Sequence, residues 1–138
     1  MTEIDFYTQA ENKLQIACSL SAKALEKGLR VLIYTGDAGT TEKLDQLLWC
    51  HPPIGFIPHC RVNDPLAAQT PVIVDHHAEP LPHHQALINL HPEWPPFFSR
   101  FQRLIEIVGR DEIDAGRARF RFYRDRGYHI RHHDLSKT

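Results

Sequence analysis

The side chains best suited to bind a ligand are arginines near the C-terminus of the sequence. Arg117, Arg121 and Arg124 are spaced at i, i+4 and i+7, which places them on one face of a helix, and Phe120 falls on that same face. Like charges held this close repel one another, and a guanidinium group binds carboxylates and phosphates through paired hydrogen bonds. The spacing therefore predicts an anion-binding face. The alternative is a solvated face whose arginines pair with acids from elsewhere in the chain.

The net charge of -1 is the sum of two unlike parts of the chain. Residues 1–96 contain six Lys and Arg against eleven Asp and Glu, whereas residues 97–138 contain ten against six. Six arginines lie within residues 117–131 beside one acid, Asp125. This asymmetry indicates an anionic partner for the C-terminal part. Direct binding of nucleic acid is one alternative, but the basic residues occupy a single helix and form no long track for a phosphate backbone, so we expect no direct nucleic-acid partner.

A candidate metal site follows an apolar run in "VIVDHH". The segment resembles the Asp-His-His motif of manganese-dependent phosphoesterases at Asp75, His76 and His77. A metal-dependent phosphoesterase is therefore a second alternative function, beside direct binding of nucleic acid. A di-metal site needs several convergent carboxylate and imidazole ligands, and Asp37 is the only further candidate. We therefore expect no metal and no cofactor. Adjacent histidines also occur at His83–His84 and His132–His133. Neighbouring residues of a strand point to opposite faces, so such pairs chelate poorly and we expect them in solvated loops.

The segment "LLWCHPPIGFIPH" carries large apolar side chains around prolines. A proline-rich loop is less suited to full burial than a helix or strand, and this one contains Trp49, Ile54, Phe56 and Ile57. Aromatic residues on such loops are enriched in binding surfaces, which favours a partner here, with anchoring of the loop to the core as the alternative.

The periodicity of apolar residues predicts the elements that position these groups. Strands are expected at 4–7, 30–34, 71–75 and 86–91, with a short extended piece at Phe56–Ile57 and a last strand in "YHIR". Helices are expected at about 14–25, from a cap at Thr40 or Thr41 to Trp49, from Trp94 to Val108, and from Asp111 to about Arg126. This alternation predicts an α/β fold: a single-domain, Rossmann-like three-layer sandwich with a mostly parallel central sheet over residues 1–131, followed by a polar tail at 132–138.

The same composition limits where the protein works. No apolar run approaches the roughly 18 residues of a membrane-spanning helix, so no membrane partner is expected. The three cysteines are odd in number and no signal segment precedes them, which favours the cytoplasm.

Motifs along nearly the whole chain resemble one family. They are "DFY", "EKGLRVLIYTGD", "LDQLLWCHPPIGFIPH", "PVIV", "LINL", "FFSRFQRLIEIV" and "GRARFRFYRDRGYHI". Together they resemble the chi subunits of bacterial DNA polymerase III. The resemblance implies a Rossmann-like accessory subunit of a DNA-directed DNA polymerase complex, non-enzymatic as an isolated chain, which is a monomer alone or a heterodimer with the psi subunit.

The resemblance also implies two partners. The psi subunit, which tethers chi to the clamp loader, would contact Trp49 and Phe56. The acidic, phenylalanine-ending C-terminal tail of single-stranded DNA-binding protein would bind a pocket formed by Val108, Arg117, Phe120, Arg121 and Arg124. An acidic tail of this kind agrees with the anion-binding face that the arginine spacing predicts independently of the resemblance.

Overall fold

The computed structural model describes residues 1–49 and 57–136, and these residues form a seven-stranded, wholly parallel sheet with helices on both faces. In chain order the elements are β1 (Glu3–Ala10), α1 (Lys13–Glu26), β2 (Val31–Tyr34), α2 (Ala38–Trp49), β3 (His59–Cys60), β4 (Val72–Asp75), β5 (Ala86–Asn89), β6 (Arg103–Gly109), α3 (Ile113–Asp125) and β7 (Ile130–Asp134). The spatial order of the strands is β3-β4-β2-β5-β6-β1-β7. The predicted Rossmann-like α/β sandwich is confirmed.

Alternate residues of the strands pack into two apolar clusters, one on each face. Helices α1 and α2 cover the first cluster, which includes Val31, Ile33 and Ile107. Helix α3 and the segment around Phe98 cover the second, which includes Leu32 and Leu104. Because both faces are buried, the strands appear in the sequence as continuous apolar runs such as "VLIY" and "VIVD".

Polar residues fix where the first two helices begin. The side chain of Asn12 accepts a hydrogen bond from the Gln15 amide at the start of α1 (3.2 Å). Helix α2 begins at Ala38, and the Asp37 carboxylate accepts from the amide of Thr40 (2.7 Å). The predicted cap at Thr40 or Thr41 is therefore wrong, because both residues lie inside the helix and Asp37 does the capping.

The predicted helix from Trp94 to Val108 is also wrong. Residues Arg103–Gly109 form β6, which lies between β5 and β1 near the middle of the sheet. Leu104 and Val108 belong to the cluster under α3, whereas Ile107 belongs to the cluster under α1. A strand buried on both faces has no polar stripe, so its apolar residues matched a helical spacing equally well.

The last strand extends further than expected. β7 runs to Asp134, pairing in parallel with β1 from Ile4 opposite Ile130 to Thr8 opposite Asp134. His132, His133 and Asp134 therefore lie in the sheet, where we expected the polar tail to begin. The short strand β3 falls at His59–Cys60, after the predicted extended piece, of which Phe56 lies outside the described residues. None of the described helices is long and apolar enough to cross a membrane.

Candidate functional site

Helix α3 carries the predicted arginine face. It begins at Ile113, and Gly127, with φ of 85°, follows its C-cap in the left-handed conformation that glycine adopts without strain. Arg117, Arg121 and Arg124 are exposed on the helix. Phe120 is half-buried, and its ring meets the buried Phe6 of β1 edge-on at 5.3 Å between centroids. Phe120 thus contacts the core while part of its side chain remains accessible at the surface.

Two adjoining grooves meet at Arg117 and Phe120. The first, here called the α3 groove, has a volume of about 320 Å³ and lies between α3 and the ends of β1, β6 and β7. It is lined by Phe6, Thr8, Gln9, Val108, Ile113, Gly116, Arg117, Phe120, His132 and Asp134. The second is a more open depression along the helix, lined by Asp114, Arg117, Phe120, Arg121 and Arg124. The structure therefore brings all five residues predicted for this pocket onto one continuous surface.

Gly116 allows α3 to lie close to the sheet beside this groove. A Cβ atom at that position would stand 2.6 Å from Val108 Cγ1, far inside normal van der Waals contact. Any larger residue would push the helix or Val108 aside, and the apolar end of the α3 groove would change shape.

Two of the six clustered arginines, Arg119 and Arg131, are paired with acids of the protein itself. Arg119 is 3% exposed and its Nε lies 2.9 Å from Glu106 Oε1, and Glu106 is fully buried. Arg131 on β7 donates to Asp5 Oδ2 at 3.0 Å. The charges of these two arginines are already balanced, so they do not add to the anion-binding face predicted at Arg117, Arg121 and Arg124.

Arg117 and Arg121 form no salt bridge with any acid among residues 1–49 and 57–136. Arg124 lies 3.3 Å from Asp125, but both side chains are more than half exposed, so this contact is weak. The alternative of a fully paired, solvated face is therefore contradicted at Arg117 and Arg121. Their charges are available to an anion from outside the described structure.

A buried polar cluster fixes the rotation of α3. Glu106 of β6 accepts hydrogen bonds from Arg119 Nε, from Tyr123 Oη (2.7 Å) and from Asn89 Nδ2 (2.9 Å). Burial raises the pKa of the Tyr123 hydroxyl and the Glu106 carboxylate raises it further, so Tyr123 stays a donor. Because Arg119 and Tyr123 are held inward, Arg117, Arg121 and Arg124 are directed outward.

The groove residues that the sequence did not predict come from β1 and β7. Thr8 and Gln9 lie at the end of β1, and His132 and Asp134 lie on β7. Thr8 Oγ1 and His132 Nε2 are 2.6 Å apart. The predicted last strand ended in "YHIR", so no signal in the sequence placed residues 132 and 134 beside the helix.

The histidine pairs behave differently from one another. His132 and His133 lie on opposite faces of β7, since His132 contacts Thr8 whereas His133 Nε2 lies 2.9 Å from Asp5 Oδ1. His83 is buried, which lowers its pKa to about 4. The expectation of a solvated loop is therefore wrong at His83, and it is also wrong at His132 and His133, which lie in β7.

Asp75, His76 and His77 lie together at the end of β4, with ligand atoms within 4.8 Å of one another. The Asp75 carboxylate is already engaged: Arg61 Nη2 donates to it at 2.9 Å, the Val62 amide at 2.9 Å and the His77 amide at 3.0 Å. Burial raises the pKa of Asp75, but these hydrogen bonds outweigh it and hold the pKa below its ordinary value. A guanidinium group at this distance disfavours a cation, so the cluster fits an anchor for the loop after β3 better than a metal site.

Asp75 should make the free energy of unfolding depend on pH in the acidic range. Its folded-state pKa lies below the ordinary value of about 3.9, so its contribution is complete above that pH and is lost as the pH falls through the folded-state pKa. We expect Asp75→Asn to lower the free energy of unfolding at pH 7, and the gap to wild type to narrow below about pH 4. Urea titrations across pH 3–7 measure both. A gap that stays constant with pH would contradict this role, and a rise in the unfolding midpoint with Mn²⁺ would favour the metal alternative.

Trp49, at the end of α2, is the second predicted contact. Its side chain is 56% exposed, and its ring meets the imidazole of His59 edge-on at 5.6 Å. His59 Nε2 in turn lies 2.8 Å from Asp45 Oδ1. Trp49 is thus exposed at the surface, and it packs against His59, which Asp45 holds in place. Its predicted companion Phe56 lies outside the described residues.

Comparison with known proteins identifies the family. A family model described as DNA polymerase III chi subunit, HolC, matches residues 1–131. The DNA polymerase III subunit chi of Pseudomonas aeruginosa is 35% identical over 99% of each chain. That of Haemophilus influenzae is 30% identical over 85% of each chain, and that of Escherichia coli K12 is 26% identical over 84% of this chain and 81% of its own. With the parallel sheet and the arginine-bearing helix, these matches show that the chain belongs to the DNA polymerase III chi subunit family.

Proposed function

We propose that this chain is a non-catalytic accessory subunit of the DNA polymerase III holoenzyme that binds the acidic C-terminal tail of single-stranded DNA-binding protein in the α3 groove. Through the psi subunit it would link that protein to the clamp loader in the cytoplasm during replication. One observation carries the proposal: Arg117 and Arg121 are exposed without an acidic partner among the described residues, directly beside the apolar groove at Val108 and Phe120.

The two halves of the surface suit the two halves of such a tail. The tail's acidic side chains and terminal carboxylate pair with the guanidinium groups of Arg117, Arg121 and Arg124, which supply orientation and long-range attraction. Its terminal aromatic ring enters the α3 groove against Phe120 and Val108. Burial of one such ring supplies about 1.5–3 kcal/mol, so the ring anchors the tail while the charges add both affinity and selectivity.

The psi subunit would bind at Trp49 and Phe56. An exposed tryptophan at a helix end is the type of residue that dominates binding energy at protein interfaces. This surface and the α3 groove belong to different elements, α2 and α3, on opposite faces of the sheet. Both partners would therefore bind at the same time.

Direct binding of nucleic acid is the weaker alternative. Arg119 and Arg131 are paired with Glu106 and Asp5, which removes two of the six clustered arginines from any positive surface that could follow a phosphate backbone. A single-stranded binder combines a longer positive groove with exposed stacking rings, and its affinity depends steeply on salt.

A capture experiment tests the proposal. The immobilised chain is mixed with the host's single-stranded DNA-binding protein, either intact or lacking its last few residues. We expect the intact protein to be retained and the truncated protein to be lost, because the tail supplies the acids and the terminal ring that the α3 groove would bind. Equal retention of both forms would contradict the proposal. Retention of single-stranded DNA alone at physiological salt would favour the nucleic-acid alternative instead.

A further inference from the structure

Strand β1 contains a bulge beside the α3 groove. Tyr7 pairs with Ile107 of β6, but the next pairing joins Ala10 to Gly109, so β1 takes three steps where β6 takes two. The extra residue leaves the ladder and shifts the alternation of side chains. Before the bulge, the even-numbered residues of β1, such as Phe6, face α3. After the bulge the order is reversed, and Ala10 packs into the cluster under α1.

Gln9 absorbs this shift in an unfavourable backbone conformation. Its φ is 61°, and among the described residues it is the only non-glycine with positive φ. Glycine, asparagine and aspartate enter this left-handed region readily, but a glutamine gains no local hydrogen bond there that offsets the strain. Strain of this kind persists where the surrounding structure enforces it, and it concentrates at binding sites.

The bulge directs two consecutive side chains toward one groove. In a regular strand, Thr8 and Gln9 would point to opposite faces of the sheet. Here both line the α3 groove, together with Phe120 and Arg117. Thr8 is within hydrogen-bond distance of His132, whereas the side-chain amide of the half-buried Gln9 has no hydrogen-bond partner among residues 1–49 and 57–136.

We infer that Gln9 is a contact residue for the bound peptide, its amide N–H donating to a carbonyl or carboxylate oxygen of the chain that lies in the α3 groove. This inference rests on the proposed function, since it assigns a residue to the same site. Its physical basis is separate from the arginine face: an unpartnered amide is held in the groove by a strained bulge. The amide would fix the peptide main chain, while Arg117 on the α3 wall of the groove and Arg121 in the adjoining depression hold its acids.

Two substitutions at this position test the inference by calorimetric titration with a peptide of the tail sequence. Gln9→Glu keeps the size and backbone but replaces the donor with a negative charge, so we expect at least fivefold weaker binding. Gln9→Gly removes the amide and relieves the strain. It should bind at least threefold more weakly while its thermal unfolding midpoint stays the same or rises by about 3 °C.

The control is Gln102→Glu, which makes the same charge change at an exposed site before β6, at the opposite end of the sheet. It should bind within twofold of wild type. Binding within twofold for either Gln9 variant would overturn the inference, as would a lowered unfolding midpoint for Gln9→Gly. If wild type itself fails to bind the peptide, the proposed function falls and this inference with it. If wild type binds but the Gln9 variants are unaffected, only the inference is lost.

Discussion

Arg119→Met is expected to lower the free energy of unfolding by about 3–5 kcal/mol, the range for removing one partner of a buried ion pair. Methionine fills similar space but leaves the Glu106 carboxylate buried without its cation. Tyr123 and Asn89 would still donate to Glu106, but neither carries a charge. The pKa of Glu106 is already raised by burial, an effect that Arg119 opposes, so the variant would take up a proton to fold. Urea denaturation at pH 7 measures the loss.

The neighbouring Arg121→Met is the matched control, because it makes the same substitution two residues along α3 at an exposed position. Its free energy of unfolding should stay within about 0.5 kcal/mol of wild type. The double variant Glu106→Gln with Arg119→Met should recover part of the loss and give a coupling energy above about 1 kcal/mol. A loss below about 1 kcal/mol for Arg119→Met would contradict the structural role of the pair.

The double variant Arg117→Ala with Arg121→Ala is expected to weaken binding of the tail peptide by at least about 2 kcal/mol, roughly thirtyfold. Each guanidinium would otherwise make a charge-assisted hydrogen bond to a peptide carboxylate, and neither is paired with an acid in the described structure. Its stability should hardly change, since both side chains are exposed. Calorimetric titration in low and moderate salt measures the affinity.

Removing two positive charges elsewhere controls for net charge. Arg100→Ala with Lys23→Ala alters exposed residues away from α3, so binding should stay within about twofold of wild type at moderate salt. Wild-type affinity should fall as salt rises, and the Arg117 and Arg121 variant should respond less. Equal weakening by both double variants would mean that the attraction is general and not located at the α3 groove.

The sequence predicted α3 well because several local signals agree there. Acids near its start, arginines toward its end and Gly127 beyond it all favour the same boundaries, and the arginine spacing has meaning only on a helix. The sequence could not show that Arg119 points inward, because its partner Glu106 lies on a segment whose apolar spacing predicts a helix and not a strand. A buried ion pair leaves no local pattern when its two members are on different elements.

Strand β6 and the bulge at Gln9 escaped prediction for a related reason. Apolar residues from Phe97 to Val108 fit both a helix face and a doubly buried strand, and only the neighbours β1 and β5 decide between them. The bulge depends on how β1 pairs with β6, and no glycine or asparagine marks it. The residues that α3 contributes to the α3 groove could therefore be predicted from the sequence. Those from β1 and β7 could not, because their positions depend on pairing between strands that are distant in the chain.

The most direct test of the central claim is to observe the amide signals of the labelled protein by NMR while the tail peptide is added. We expect the largest changes at Gly116, Arg117, Phe120 and Arg121 of α3 and at Gln9 of β1, with little change near Trp49. A peptide lacking the terminal phenylalanine should produce only small changes. Changes centred on Trp49 or on Asp75, or none at any residue of the α3 groove, would contradict the account.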